Sequence, residues 1–352
     1  MSEYTVTVHE RVADLKRNEW NAVVADQSHT GSVFERHEWL AAYERAFDAT
    51  GAHVQVRKNG TLVCAHPLFE RALPRLPVSF LGPPRPEYNG VHATTDERAV
   101  LAAALRAVDE RCRGRTVGHL LKPASSRSLG YATLLGERGY TPTVRGCQFH
   151  LDTDRSWEAV RDALDHTRRR NLDRADEAGV TVEERDVTRE TVRSFAAAHR
   201  RNMARIGGDG TTRRFLRALA VEMPERLVIF AADADGEDLG QLFCVVDREQ
   251  DQFHLLFPGF RSDRGQRYPS DALYAAAIRW AIAHDIGVVN FGETDPDLSA
   301  GPYRFKTKFG ATPVPTLRWE RVRSRLGRAL YAVGSELVYD SLFPSRDDSG
   351  PA

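Results

Sequence analysis

Lysine is nearly missing from this chain: only five of its 49 Lys and Arg residues are Lys, and two of those five, Lys306 and Lys308, stand two apart. Cysteine is scarce too. Cys64, Cys112, Cys147 and Cys244 lie far apart and form no C-x-x-C pair, which argues against a zinc site and reads as buried thiols in a reducing compartment. No run of about 18 apolar residues exists, so no spanning helix is expected. The opening MSEYTVTVHE has neither the basic nor the apolar region of a secretory leader, so no signal peptide is expected and the cytoplasm is the expected location. A surplus of charge of either sign is also lacking, since 49 acidic residues balance 49 basic ones. That argues against a general nucleic-acid coat while leaving room for a local basic patch, and no DNA partner is expected. The patterns G-x-S-x-G, G-x-x-x-x-G-K-[ST], G-x-G-x-x-G and H-E-x-x-H are absent. Hydrolase, kinase and dehydrogenase chemistry are therefore without their carriers.

What is present suits a folded two-domain α/β protein. The 352 residues are 41% hydrophobic and 28% charged, enough for two cores of ordinary size. YTVTVH (4–9) alternates as a strand, and FERHEWLAAYERAF (34–47) has helical spacing. HVQVRKNGTLVCAHPLF (53–69) is a hairpin turning at Asn59-Gly60. The Pro-rich PRLPVSFLGPPRPEYNG reads as irregular. Helices over 96–112 and 127–137 and strands at 119–121 and 145–151 complete the first half. In the second, SWEAVRDALDHTRRRNLDRADEAG reads as one long amphipathic helix stopped by Gly179. A strand, two helices (189–206 and 211–222) and a hairpin turning at Asp235-Gly236 follow. DQFHLLFPG is a strand, SDALYAAAIRWAIAHD a helix and VVNFG a strand, and PVPTLRWE is expected to close the sheet. Each half thus reads as a mixed sheet flanked by helices, with a boundary near residue 152. Residues 321–352 read as an Arg-rich helix and a polar tail. There Arg321, Arg325 and Arg328 alternate with Leu326, Leu330 and Val333, a pattern expected of a helix packed on the second domain; the alternative is membrane contact, at most peripheral.

The segment FGETDPDLSAGPYRFKTKFGATP (291–313) follows a buried strand at its C-terminal end, where α/β sheets tend to place their sites. Read as extended chain, it puts Arg304, Lys306 and Lys308 on one face and Tyr303, Phe305, Thr307 and Phe309 on the other. A row of cations suits a phosphate-bearing substrate or a developing oxyanion. A compact ammonium can be aimed at one oxygen where Arg prefers a two-pronged partner. The bland alternative is a solvated strand face. A second cationic stretch, HTRRRNLDRADEAG, places His166, Arg170 and Arg174 four apart on one helix face. Its alternative is a solvated surface offset by Asp162, Asp165, Asp173 and Asp176.

The pattern R-R-N-x-x-R-A-x-x-x-G-V-x-V (169–182), the helix over 268–284 and G-x-Y-R-F-K-x-x-F-G (301–310) resemble the FemABX family. Its members are aminoacyl and peptidyl transferases of the GNAT superfamily of N-acyltransferases. The resemblance is strongest over 150–315 and looser at SVFERHEWL and EYNGV. It implies tandem GNAT-like domains, here 1–152 and 153–320, and direct transfer of an acyl or aminoacyl group to an amine without a covalent enzyme intermediate. It also implies that Phe305 and Lys306 stand at the reaction centre. Tyr303, Arg304, Lys308, Arg169, Arg170, Asn171, Arg174 and Tyr268 are the expected substrate-binding residues. Glu293, at the strand end, is the candidate base, with a substrate phosphate as the alternative.

Superfamily members that use acetyl-CoA carry a Q/R-x-x-G-x-G/A loop before a helix N-terminus. The corresponding FRSDRGQRYPS has Gly265 but Arg267 in place of the second small residue. This argues against acetyl-CoA and favours an aminoacyl-tRNA or another acyl donor as co-substrate, with Arg261, Arg264, Gly265 and Arg267 holding phosphates; the alternative is an exposed Arg-rich loop. No tightly bound cofactor and no metal are expected. The expected acceptor is an amine of a small molecule, a cell-envelope precursor or a nucleotide-linked sugar, with charged tRNA as a partner. The competing readings are an acyl-CoA-dependent N-acetyltransferase of a small amine and a catalytically silent binding scaffold.

Overall fold

The computed structural model describes residues 4–26, 31–73, 76–84, 88–95, 98–124, 126–208, 210–261, 267–323 and 329. The first half comprises β1 (Tyr4–His9), α1 (Arg17–Val24), α2 (His37–Phe47), β2 (His53–Lys58), β3 (Thr61–His66), β4 (Phe69–Ala72), β5 (Ser79–Gly82), β6 (His92–Ala93), α3 (Arg98–Arg111), β7 (Thr116–Leu121), α4 (Ala132–Glu137) and β8 (Thr141–Asp152). The second comprises α5 (Trp157–Ala163), α6 (His166–Glu177), β9 (Thr181–Arg185), α7 (Arg189–Ile206), α8 (Arg213–Glu222), β10 (Leu227–Ala234), β11 (Glu237–Asp247), β12 (Gln252–Phe260), α9 (Pro269–Ala283), β13 (Val288–Thr294), α10 (Gly301–Lys308) and β14 (Thr312–Val322). Both expected hairpins form where Asn59-Gly60 and Asp235-Gly236 take positive φ, the conformation that a tight turn between right-twisted strands demands.

Among the described residues the strands make two sheets. One is small, in the order β1-β2-β3-β6; the other has ten strands in the order β4-β5-β7-β14-β8-β13-β12-β11-β10-β9. The large sheet runs through both halves. The last strand, β14, does not close an edge, as PVPTLRWE was expected to do; it lies between β7 and β8 and pairs with both. The Pro-rich stretch holds a strand as well: Val78 and Pro77 lead into β5, which pairs with β4 and β7. One apolar core lies under the second half and another within the first. A third is shared between them, packing Phe34, Trp39 and Tyr43 against Phe195, Phe215 and Phe243.

Three other expectations change. The long helix expected from Trp157 to Gly179 breaks into α5 and α6 at Leu164-Asp165. Asp165 caps α6, its carboxylate accepting from the Thr167 N–H at 2.9 Å, while its own N–H reaches the Lys308 carbonyl at 3.0 Å. An Asp that can cap a helix competes with continuing one. YRFKTKFG is helical, not extended: α10 begins at Gly301-Pro302, with Pro in the first turn where its missing N–H is harmless. Arg321, expected in a terminal helix, lies in β14, and the remaining segment, with Arg325 and Arg328, is outside the described residues. All four cysteines are free and buried. Among the described residues no helix is long and apolar enough to cross a membrane, and no cluster of three or more His, Cys, Asp or Glu could hold a metal.

Candidate active site

Strands β12 and β13 are parallel but pair only from Gln252 to His254 with Val288 to Asn290. Beyond that point they diverge. Strand β13 also bulges against β8, its register shifting between Asn290 and Glu293 around Gly292, whose φ is +78°. Bulges of this kind re-aim backbone and side chains, and they are frequent beside active sites.

A cavity of about 740 Å³ occupies the split. Its walls come from both halves of the chain. Arg71, Phe80, Lys122, Arg145 and Gln148 line it from the first half, and Phe257, Pro258, Tyr274, Phe291 and Phe305 from the second. The second-half wall is thus largely apolar, while the cations opposite it are interleaved with the carboxylates of Glu293 and Glu320.

Lys306 stands where they meet. On a helical turn Pro302, Phe305, Lys306 and Phe309 share a face, which turns Lys306 inward: it is 9% exposed, and its Nζ donates to the carbonyls of Gly292 at 2.8 Å and Glu293 at 3.3 Å. The ammonium also lies 5.5 Å from the centre of the Phe149 ring. Burial pushes its pKa down to about 8, opposed by the nearby Cys147 and Glu293. It remains largely protonated at neutral pH, but its proton is loosely held for a lysine.

Glu293 is clamped between two cations, Lys122 Nζ at 2.5 Å and Arg318 at 2.8 Å. Burial favours the neutral acid, but Lys122 and Arg318 outweigh it and hold the carboxyl below its ordinary range. Space for the carboxylate exists because residue 146 is glycine. A Cβ there would approach Glu293 Oε1 to 2.2 Å and its Cδ to 2.9 Å.

The expected site residues separate into two groups. Phe305, Lys306 and Glu293 come together in the cavity, with Phe305 edge-on to Tyr274 at 5.0 Å. Tyr303, Arg304, Lys308, Arg169, Arg170, Asn171, Arg174 and Tyr268 are not among its lining residues. Because α10 is helical, Arg304 and Lys308 do not join Lys306 on one face. Arg304 is exposed, and Tyr303 packs edge-on to Phe149. Arg169 donates to the Asp162 carbonyl, Arg174 to the Tyr268 hydroxyl at 2.9 Å, and Arg170 is exposed. Arg168 holds the buried Asp271 at 2.8 Å and stacks on Phe305 at 5.1 Å, while Asn171 reaches the same carboxylate at 3.4 Å.

The helix that was to present phosphate-binding N–H groups, α9, begins with Pro269 and already carries Asp271 in its first turn. Arg267 pairs with Asp235 at 3.1 Å, while Arg264 and Gly265 lie outside the described residues. Sequence reasoning missed Lys122, Arg318, Arg145 and His254. Lys122 carried a usable signal: it is another of the five lysines.

Residues 161–307 match the Acetyltransferase (GNAT) domain family. Among solved structures the chain is similar to FemX, with a TM-score of 0.71 and 13% identity over 91% of this chain and 98% of that one. It is also similar to L-PGS from Bacillus licheniformis (TM-score 0.60, 12% identity, 93% and 97% covered) and to a tandem GNAT protein from the clavulanic acid biosynthesis pathway (0.56, 15%, 91% and 98%). No curated protein matches the sequence.

Proposed function

We propose that this chain, a FemABX-like acyltransferase of the GNAT superfamily, moves an aminoacyl group from a charged tRNA to an amine of a cell-envelope precursor or a nucleotide-linked sugar. The observation that carries the reading is Lys306, buried at the throat of a cavity that opens through the split between β12 and β13.

An ammonium has three N–H donors. Two of those on Lys306 are directed at the Gly292 and Glu293 carbonyls, and the third is left for an oxygen in the cavity. When an amine attacks the acyl carbon, negative charge develops on the carbonyl oxygen, and a donor already aimed there lowers the barrier by a few kcal/mol. The apolar wall of Tyr274, Phe291 and Phe305 suits the acyl part of the donor, while the wall with Lys122, Arg145 and Arg318 suits an anionic acceptor. Glu293 fits the part of an anchor that spaces these cations better than that of a base, since two charges hold it ionised. Pro269 and Asp271 at the start of α9 weigh against a CoA diphosphate at that helix end.

The second reading, acyl-CoA-dependent N-acetylation of a small amine, rests on the same split. Diverging strands leave backbone groups facing the gap, and an amide-bearing arm could bond to them.

The test is transfer of radiolabel from alanyl-, seryl- or glycyl-tRNA, or from acetyl-CoA, to a lysine-containing envelope peptide or a UDP-linked amino sugar. Thermal stability is followed in parallel, since a donor at 100 times its dissociation constant adds about 2.7 kcal/mol. Transfer from a tRNA that Lys306→Ala abolishes supports the leading reading, and transfer from acetyl-CoA alone supports the second. No transfer and no thermal shift with any donor leaves a binding scaffold.

A further inference from the structure

Strand β12 carries a histidine that the mechanism above does not use. His254 is 3% exposed and lines the cavity, its side chain on the sheet face opposite to Phe253 and Leu255, the latter of which lines the cavity from the other face. Its Nε2 faces Asp247 Oδ2 at 3.4 Å, and Asp247 is fully buried. The carboxylate is fixed from its other side, where Oδ1 accepts from the Val33 N–H at 3.0 Å and the Gln250 N–H at 3.3 Å. Val33 belongs to the SVFERHEWL segment of the first half, and the next residue, Phe34, packs edge-on to the His254 ring at 4.7 Å. Burial pushes the Asp247 carboxyl up, opposed by His254; in its ionised form it accepts and does not donate, which would put the imidazole proton on Nε2 and leave the lone pair on Nδ1. Nδ1 has no hydrogen-bond partner among the described residues.

We propose that His254, oriented by Asp247, is the base that takes the proton from the acceptor ammonium. The inference rests on the acyltransferase reading. His254 pairs across the parallel ladder with Asn290, two residues before Gly292, whose carbonyl holds Lys306. It is on the sheet face that carries Gln148 and Glu293, beside the cationic wall assigned to the acceptor. The titratable and charged groups around it are Asp247 on β11, with Glu249 acting on that carboxyl, His150 on β8 and, farther along that face, Glu293 with Lys122 and Arg318. Burial holds His150 neutral, with a pKa of about 4, and Glu293 is committed to its two cations. That leaves the His254 lone pair. In the step, Nδ1 removes one proton from the ammonium, and the freed nitrogen forms the N–C bond at the acyl carbon. The bond from that carbon to the donor's ester oxygen (or thioester sulfur) breaks, and the second nitrogen proton ends on that leaving atom.

The experiment compares wild type with His254→Gln in the full chain, with alanyl-tRNA and acetyl-CoA as donors and two acceptors. One is the lysine-containing envelope peptide, an ammonium at neutral pH; the other is hydroxylamine, which is already unprotonated there. The expected result is a kcat at least about 100-fold lower with the peptide, a near-normal rate with hydroxylamine, and loss of the acidic limb of the pH–rate profile. Equal slowing with both acceptors, or an unchanged profile, overturns the proposal. Wild type inert with every donor and acceptor sinks the acyltransferase reading and this role together. Should His254→Gln fail to fold, ¹⁵N NMR of the wild-type imidazole decides. A ring protonated on Nε2 supports the assignment, and one protonated on Nδ1 overturns it.

Discussion

The Nζ of Lys306 lies 2.8 Å from the carbonyl oxygen of Gly292, and Gly292 holds a φ of +78°. The bulge and the helix therefore meet at the Lys306 ammonium, which also donates to the Glu293 carbonyl at 3.3 Å, so the deeply buried lysine of α10 is held by backbone and not by a carboxylate.

A lysine held this way should be dispensable for folding but not for turnover. Its folded pKa of about 8 is below the ordinary 10.5. Below pH 8 both folded and unfolded chains hold the proton, so the folded state bears the full desolvation penalty. Between those two values the unfolded chain holds more protons, and stability rises with pH. Lys306→Met should therefore be as stable as wild type or more so at pH 7, lack that rise, and lose transfer activity. Urea unfolding at pH 7 and pH 10, beside a turnover assay, checks all three.

Glu293 has the opposite sign. Its folded pKa lies below 4.5, so the stability it contributes is complete above the unfolded value and is lost as pH falls through the folded one. Glu293→Gln should abolish this acid-side slope. At pH 7 it leaves Lys122, which is 5% exposed, without its partner, and a loss of roughly 3 kcal/mol is expected. Chemical denaturation from pH 3 to pH 7 measures both.

Gly146→Ala tests the geometry of the same cluster from the facing strand. The new methyl would overlap the Glu293 carboxylate, which is not free to swing because Lys122 and Arg318 clamp it. The expected outcome is a loss of about 1–3 kcal/mol, the usual range for overpacking, with reduced transfer. A stability equal to wild type would falsify the clamp.

Arg168 and Arg170 are neighbours with different fates. Arg168→Ala leaves Asp271 buried without its cation and strips the Phe305 ring of its stacking partner. A destabilisation of about 3 kcal/mol is expected. Arg170, exposed on the same helix, should tolerate Ala within about 0.5 kcal/mol and with little change in KM. A large rise in KM for Arg170→Ala would restore it to the substrate site.

How legible was this molecule before its structure? Asn59-Gly60 and Asp235-Gly236 located their hairpins because positive φ is a local requirement that few residues meet. Lys306 stood out because lysine is rare in this chain, and a residue kept against a compositional trend invites a specific explanation. The same reasoning applied to Lys122 would have found the second cation of the site. YRFKTKFG was misread because eight residues of alternating aromatics and cations fit a strand as well as a two-turn helix. Pro302 in a first turn decided between them, and with the helix went the row of three cations.

What the sequence determined by itself is the local chemistry: tight turns, a helix stop at Gly179, buried thiols and a lysine kept at position 306 against the compositional trend. What only the tertiary structure decided is which distant residues meet. Lys122 and Glu293 are 171 positions apart and form one ion pair. They meet because β14 threads between β7 and β8 and carries Arg318 to the same carboxylate. Val33 fixes Asp247 across a comparable distance because the two halves share an apolar core. Turn and cap preferences are set by a few neighbouring residues, whereas strand order is set by the packing of the whole sheet, and no short stretch of the chain encodes that.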